Sequence, residues 1–426
     1  MKIAIVGAGW AGCAAAVEAT RLGHQVTLYE TSRSAGGRAR RVMATLAGQP
    51  ALLDNGQHIL IGAYAQTLRL MKDLGVDEGV AFLRLPLTMQ FPDGSGLKLP
   101  NWPAPLDALA GILAVRGWSW ADKLSLLKVA GGWQLGGFKC SPMQSVNDLC
   151  KGITPGVMAS LIEPLCVSAL NTPPGRASGQ VFLRVMRDAL FAESGGSNLL
   201  LPRTDLSTLL PDAALAWLAA NGSRARLGVR AQAIAPAASS GWTVTADSPE
   251  AFDRVVLACP PNEAARLVQG SNVPAHDWLA QARSLQHEAL STVYVHAPEA
   301  RLRQPMLALP SSAAEPAQFV FDRGQLGGPA GLLAFVISAS TGDSATLTQQ
   351  VLAQAARQLG LAALQPVQTI VEKRATFACS PGLQRPAAHI APGLLACGDY
   401  IAGPYPATLE GAVRSGLEAA RYHINS

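Results

Sequence analysis

Lys2-Ile-Ala-Ile-Val-Gly-Ala-Gly-Trp-Ala-Gly12 is the stretch whose reading decides the fold. Ile3 to Val6 are apolar enough for a short buried strand. Gly7, Gly9 and Gly12 then stand as G-x-G-x-x-G where a tight turn should enter a helix. Gly7 permits the turn, Gly9 presents no side chain to a pyrophosphate, and Gly12 lets helix and strand pack closely. An alanine-rich helix is predicted from Ala11 to about Leu22. Gly23 and His24 break it, and Gln25 to Glu30 supply the next strand. Glu30 closes that strand 18 residues after Gly12, where a carboxylate can accept both ribose hydroxyl bonds of an adenosine. Strand, helix, strand and acidic terminus in this order predict a dinucleotide-binding unit.

The loop after Glu30 carries Gly36, Gly37 and Arg38, followed by Arg40 and Arg41. Paired glycines suit a turn that brings backbone N–H groups near a phosphate. Arg38 could pair with that phosphate or reach a reactive ring, whereas Arg40 and Arg41 read as a solvated face. Asp54-Asn-Gly-Gln-His58 follows, a polar centre framed by apolar residues, as in a segment crossing a buried cofactor. His58 could donate a proton near a substrate oxygen or be a satisfied structural histidine; both readings stay open.

Farther along, residues 64–74 are predicted helical, and residues 82–99 as a strand pair around a turn at 92–96. Between residues 102 and 138 the character changes to interrupted apolar helices with Trp102, Trp118, Trp120 and Trp133. These residues suit a bilayer surface, the lid of a greasy pocket, or an ordinary helical core. Helical units follow at 145–149, 158–165 (crossed by Glu163 and Pro164), 180–191 and 215–220, so the middle third reads as a helical cap. Strands return at 225–235, 242–245 and 252–261, then at 290–296, 318–321, 332–338 and 367–377, the last four as an antiparallel sheet. Residues 393–399 form a strand running into Gly398-Asp399, and residues 409–422 a small-residue helix whose start can face an anion or polarised ring. Asp399 holds a polyol hydroxyl or forms an Asx turn; spacing does not separate the two.

The composition sets limits. Of 426 residues, 49% are hydrophobic and 15% charged, which excludes a disordered chain and suits two or three domains. A charge of +5 fits an anionic membrane surface or a phosphate-rich ligand. No basic tract or nucleic-acid module accompanies it, so nucleic acid is not an expected partner. Seven cysteines without a C-x-x-C pair argue against structural disulfides or a zinc cluster, and no metal is expected. Cys13, Cys259 and Cys397 read as core. Neither a secretion signal nor a membrane span is expected, which leaves a cytoplasmic protein with room for monotopic association with the inner membrane face.

Taken together, Ile5-Val-Gly-Ala-Gly-Trp-Ala-Gly12, Glu30, Gly36-Gly-Arg38, Asp54 to His58, Val255 to Ala258, Gly398-Asp399 and Pro406 to Val413 resemble the flavin amine oxidase and carotenoid desaturase superfamily. Within it the chain is similar to the squalene-associated hydroxysqualene dehydroxylase family, along essentially its whole length. The resemblance implies an α/β fold: a discontinuous Rossmann-like FAD-binding domain (1–75, 215–265 and 390–426) with an α+β substrate domain and apolar helical cap (76–214 and 266–389). It implies extended FAD, with Gly7, Gly9 and Gly12 at the pyrophosphate and Glu30 at the adenosine ribose. Gly37 and Arg38 would lie near pyrophosphate or flavin, the Val229 backbone near adenine, Asp399 (after Gly398) near the ribityl-phosphate, and Leu409 at the start of the helix beside the flavin. The implied reaction removes the hydroxyl of hydroxysqualene reductively, giving squalene for hopanoid synthesis. His58 is the expected acid and Tyr405 an alternative donor or ring-packing residue. The substrate is a long apolar isoprenoid, and electrons come from an external donor because no second complete G-x-G-x-x-G is present. An FAD-dependent isoprenoid or carotenoid desaturase is the main alternative, and a noncatalytic flavin-binding interaction protein is another. An amine oxidase is less attractive because the cap is so apolar.

Overall fold

The computed structural model describes residues 1–103, 105–192, 195–238 and 240–422, so residue 104 of the tryptophan-rich stretch and residues 423–426 of the expected cofactor segment lie outside it. The opening motif forms the strand Lys2–Val6 and the helix Trp10–Arg21. The helix begins one residue earlier than expected because Gly9, in extended backbone (φ −73°, ψ −179°), is already its N-cap. Gln25–Glu30 is the second strand, as read from the sequence.

These strands lie inside a six-stranded sheet of order Arg224–Leu227, Gln25–Glu30, Lys2–Val6, Arg254–Leu257, Leu394–Ala396, His389–Ala391. The first five run parallel and the last antiparallel. A parallel sheet covered on both faces needs near-continuous apolar strands, and Ile3, Ala4 and Ile5 are fully buried. The arrangement gathers the carboxyl ends of remote strands, at Val6, Glu30, Leu257 and Ala396, along one edge. That is where open α/β sheets bind ligands.

The helix Trp10–Arg21 is buried on nearly every side and packs along the C-terminal helix Leu409–Arg421. Small residues make this approach feasible: a Cβ on Gly416 would stand 2.2 Å from the Ala11 carbonyl oxygen. Glu410, fully buried, ties the same helix to the helix Ala65–Asp73. Its carboxylate accepts the Gln66 and Thr67 N–H groups at 3.1 and 2.9 Å, satisfying helix-start donors that have no intrahelical partner.

The second sheet is antiparallel, of order Met306–Ala308, Phe319–Asp322, Leu332–Ser338, His287–His296, Gln365–Phe377. Its side chains alternate as strand geometry requires. Val293, Val295, Phe335 and Ile337 join Leu347 and Val351 of the helix Ser344–Leu359 in one core. Tyr294, Ala334 and Val336 face the other way, into the main core.

Several sequence expectations need correction. The segment 225–235 is two strands in different sheets, separated by Gly228 at φ 74°. Arg224–Leu227 joins the parallel sheet, while Ala233–Pro236 pairs with Trp242–Thr245. In 82–99 only Thr88–Gln90 and Gly96–Lys98 form the hairpin; Phe82–Leu85 pairs with Leu199–Pro202. The apolar run 158–165 belongs to a continuous helical stretch, Pro155–Leu170, with a π-helical turn at Met158–Ile162. That wider turn lets Pro164, which cannot donate and crowds the preceding turn, follow without ending the helix. Likewise the helix Gly179–Arg187 continues as a π-helical turn, Asp188–Ala192.

Candidate functional site

A cavity of about 800 Å³ runs from the carboxyl edge of the parallel sheet to the inner face of the antiparallel sheet. At its first end the two glycine turns meet. Gly7 (φ 111°) passes so close to the next strand that a Cβ there would lie 2.6 Å from the Ala258 oxygen, and a Cβ on Gly12 would lie 1.9 Å from the Gly7 oxygen. These two glycines are therefore required by the chain's own packing. Gly9 differs: a Cβ there would meet only the Gly37 Cα, at 3.9 Å, and otherwise project into open cavity. Gly36 donates its N–H to the Ala8 oxygen at 2.8 Å, and Gly37 (φ 60°) lies against Gly9. The result is a side-chain-free cradle, a form that can take the pyrophosphate of a dinucleotide.

Glu30 borders this cradle. Its carboxylate accepts the Ala8 and Ser32 N–H groups, each at 2.8 Å, so its direction is set while lone pairs remain for a diol. The Val229 N–H is engaged by the Glu30 carbonyl at 2.9 Å, leaving the Val229 carbonyl for an adenine amino group. Arg38 and Asp399, 361 residues apart, meet: Nη2 donates to Oδ1 at 2.6 Å. The sequence placed both near the cofactor but gave no hint that they pair. Gly398 (φ 153°) donates its N–H to Ser415 Oγ at 3.1 Å, which holds this turn on the C-terminal helix. Leu409 opens that helix beside the cavity, after Thr408 caps it by accepting the Gly411 N–H. The buried Tyr400 hydroxyl has no protein partner among the described residues.

Leu165, Met186, Met306, Phe319, Phe321 and Val336 give the cavity an apolar wall, and His58, Tyr405 and Asp188 also border it. His58 Nδ1 lies 2.7 Å from the Gly56 carbonyl. Burial pushes its pKa down, assisted by the Arg38 charge and opposed by the Gly56 bond. A histidine so held is neutral near pH 7, which weakens its expected role as the acid. The Tyr405 hydroxyl donates to Asp188 Oδ2 at 2.8 Å, and the Arg414 guanidinium sits 4.9 Å from the ring centroid. Burial, then the bond to Asp188, raises the Tyr405 pKa.

Sequence reasoning missed Asp188 and Arg323. Asp188 sits at the start of a π-helical turn, a feature that periodicity does not reveal. Arg323 is buried and reaches three partners: Gln57 Oε1 at 3.2 Å, the Pro202 oxygen at 3.4 Å and Asp54 at 3.9 Å. Asp54, 2% exposed, has its pKa raised to about 6, mainly by burial and against the pull of Arg323. Trp102, Trp118, Trp120 and Trp133 are not among the residues that border the cavity. Trp118 and Trp133 are partly buried against the core, with ring N–H groups bonded to Ser160 and the Leu149 oxygen. Trp102 and Trp120 are 58% and 69% exposed. Cys13, Cys259 and Cys397 are buried and free, as expected of core residues.

Comparison with known proteins places the site in context. The sequence model of the flavin containing amine oxidoreductases matches residues 10–423. A hydroxysqualene dehydroxylase from Rhodopseudomonas palustris is 28% identical, over 98% of this chain and 96% of its own. One from Sinorhizobium fredii is 26% identical, over 98% and 97%. A 15-cis-phytoene desaturase from Synechococcus elongatus is 30% identical but over only 29% of this chain and 27% of its own. Among solved structures, an oxidoreductase from Methanosarcina mazei superposes with a TM-score of 0.75 at 16% identity, over 99% of this chain and 100% of that one.

Proposed function

Because the chain belongs to the family of flavin containing amine oxidoreductases, we propose that it is an FAD-dependent oxidoreductase that converts hydroxysqualene to squalene. One observation carries the reading: a single cavity joins a glycine-lined cradle to a wall rich in Leu, Met, Phe and Val side chains. The two dehydroxylases resemble this chain over nearly the whole length of both partners, whereas the phytoene desaturase matches less than a third. That contrast favours the dehydroxylase over the desaturase.

FAD is the cofactor, and in its reduced form it supplies hydride. Gly7, Gly9, Gly12 and Gly37 are the residues assigned to its pyrophosphate, Glu30 to the adenosine ribose, and Val229 to adenine. Arg38, Gly398, Asp399 and Leu409 are assigned to the ribityl and ring end. The chamber holds the isoprenoid chain, with each methylene removed from water contributing about 0.8 kcal/mol. Its walls also exclude water from a reactive allylic cation. Loss of the hydroxyl as water requires a proton at the leaving oxygen. His58 and Tyr405 are the protic side chains assigned to this reaction. Tyr405 is the preferred donor, because its hydroxyl carries a proton at the cavity wall, held on Asp188 Oδ2 at 2.8 Å until it turns to the leaving oxygen. Residues 1–75, 215–265 and 390–426 are assigned to cofactor binding, and 76–214 and 266–389 to substrate.

Electrons are proposed to come from an external donor and the substrate from a bilayer. Among the described residues no helix is long and apolar enough to cross a membrane. The helices Leu106–Ala114 and Trp120–Leu135 nevertheless expose Leu106, Leu109, Leu113, Trp120 and Leu124. Lys123 lies 5.3 Å over the Trp120 ring. Amphipathic aromatics with lysine at their edge suit the headgroup layer of an anionic membrane. An anaerobic incubation of the FAD-reduced protein with hydroxysqualene, followed by mass analysis, tests the activity. Squalene is the expected product; no turnover by the reduced protein but isoprenoid desaturation by the oxidised protein would replace this reading with the desaturase, and no turnover in either state with the noncatalytic one.

A further inference from the structure

We propose that His58 anchors the hydroxyl of the substrate as a hydrogen-bond acceptor, through Nε2. It would thus recognise the single polar group on an otherwise apolar chain. This deepens, and rests on, the dehydroxylase reading.

The argument begins with Gly56. Its carbonyl oxygen has no proton to give, so the 2.7 Å contact requires the proton to sit on His58 Nδ1. A neutral imidazole has only one N–H, and Nε2 therefore carries a lone pair. A second proton is disfavoured by burial and by Arg38. His58 borders the cavity, and no hydrogen bond to Nε2 occurs among the described residues. An acceptor without a partner among the described residues, on a cavity wall that also carries many Leu, Met, Phe and Val side chains, is matched by a ligand O–H.

The backbone beside the ring is held by a set of buried hydrogen bonds. Gln57 Nε2 donates to the His58 carbonyl at 3.3 Å, and the Gln57 N–H donates to Thr292 Oγ1 at 3.3 Å. Arg323 in turn donates to Gln57 Oε1. Tyr294 closes the assembly by donating its hydroxyl to the Asp54 carbonyl at 2.9 Å. Arg323, Gln57, Tyr294 and Asp54 are all buried. Together they fix the backbone from which the imidazole projects, which is how a binding group is preorganised. Arg323 is thus a positioning residue, acting through Gln57.

The test compares two ligands on the oxidised, FAD-loaded protein, where no turnover occurs. Binding of hydroxysqualene and of squalene is followed by the change in flavin absorbance for wild type, His58→Phe and His58→Gln. Wild type should prefer hydroxysqualene by about 3- to 10-fold, the range of one neutral hydrogen bond. His58→Phe should abolish the preference while leaving squalene affinity near wild type. His58→Gln, whose amide oxygen can stand near the Nε2 position, should retain part of it. Flavin content of each variant, measured after denaturation, shows that the cofactor is still held. An undiminished preference in His58→Phe, or no preference in wild type, would overturn the anchor. So would an unchanged preference in His58→Gln combined with collapse of its single-turnover rate, the signature of an acid. Wild-type turnover, assayed separately, decides the dehydroxylase reading independently of this binding ratio.

Discussion

Replacing Gly9 by alanine should separate cofactor binding from folding. The Gly9 backbone, at φ −73° and ψ −179°, suits any L-residue, and the added methyl would approach only the Gly37 Cα, at 3.9 Å. Reduced chain entropy in the unfolded state favours alanine by about 0.4–1 kcal/mol. Alanine is a poorer N-cap than glycine by roughly the same amount. The stability of the flavin-free protein should therefore stay within about 1 kcal/mol of wild type. The methyl would occupy the path assigned to the pyrophosphate. With free FAD at 100 times the wild-type Kd, binding adds about 2.7 kcal/mol to wild-type stability; a 100-fold weaker Kd reduces that increment to about 0.4 kcal/mol. Gly12→Ala is the control, because its Cβ would lie 1.9 Å from the Gly7 oxygen and force the turn to move. It should lose about 1–3 kcal/mol or more without FAD present. Urea denaturation of each protein with and without FAD, with fluorescence titration of the flavin, reads both quantities. Wild-type FAD affinity in Gly9→Ala would refute the reasoning, as would an apoprotein as unstable as Gly12→Ala.

Asp54 provides a pH test. Its folded pKa, about 6, lies above the ordinary 3.8, so the native state binds its proton more tightly than the unfolded chain. The associated stability is present below about pH 4 and is lost as pH rises through 6. Relative to Asp54→Asn, wild type should lose on the order of 3 kcal/mol across that window; parallel stability curves in denaturation at pH 4 to 7 would contradict this. Tyr405→Phe should keep its flavin but slow single-turnover squalene formation by about 100-fold or more; a wild-type rate would leave Tyr405 a ring-packing role. Trp120→Ser with Leu124→Ser should weaken flotation on anionic vesicles by at least about tenfold, since each side chain transfers about 1.5–3 kcal/mol; unchanged flotation would remove this face from membrane contact.

The glycine turns, the strand ending in Glu30 and the C-terminal helix were legible because each depends on local chemistry. A residue without a side chain is needed where backbone approaches backbone, and an acid where a strand ends. Asp188 escaped because the helix Gly179–Arg187 changes pitch beyond its last turn, and a 3.6-residue period cannot register a wider coil. The tryptophans were left between a bilayer surface, a pocket lid and a helical core. Trp118 and Trp133 pack inward while Trp120 faces out, a choice made by neighbours remote in sequence.

By itself, then, the sequence determined a dinucleotide cradle built on a parallel sheet, because turn and strand preferences act over a few residues. Only the tertiary structure decided what surrounds it. It paired Arg38 with Asp399 across 361 residues and set Arg323 behind Gln57. It also set His58 Nδ1 against the Gly56 carbonyl and buried the ring, which lowers its pKa. A side chain's charge state depends on solvent exclusion and on partners brought from elsewhere in the fold, and neither is written in local sequence.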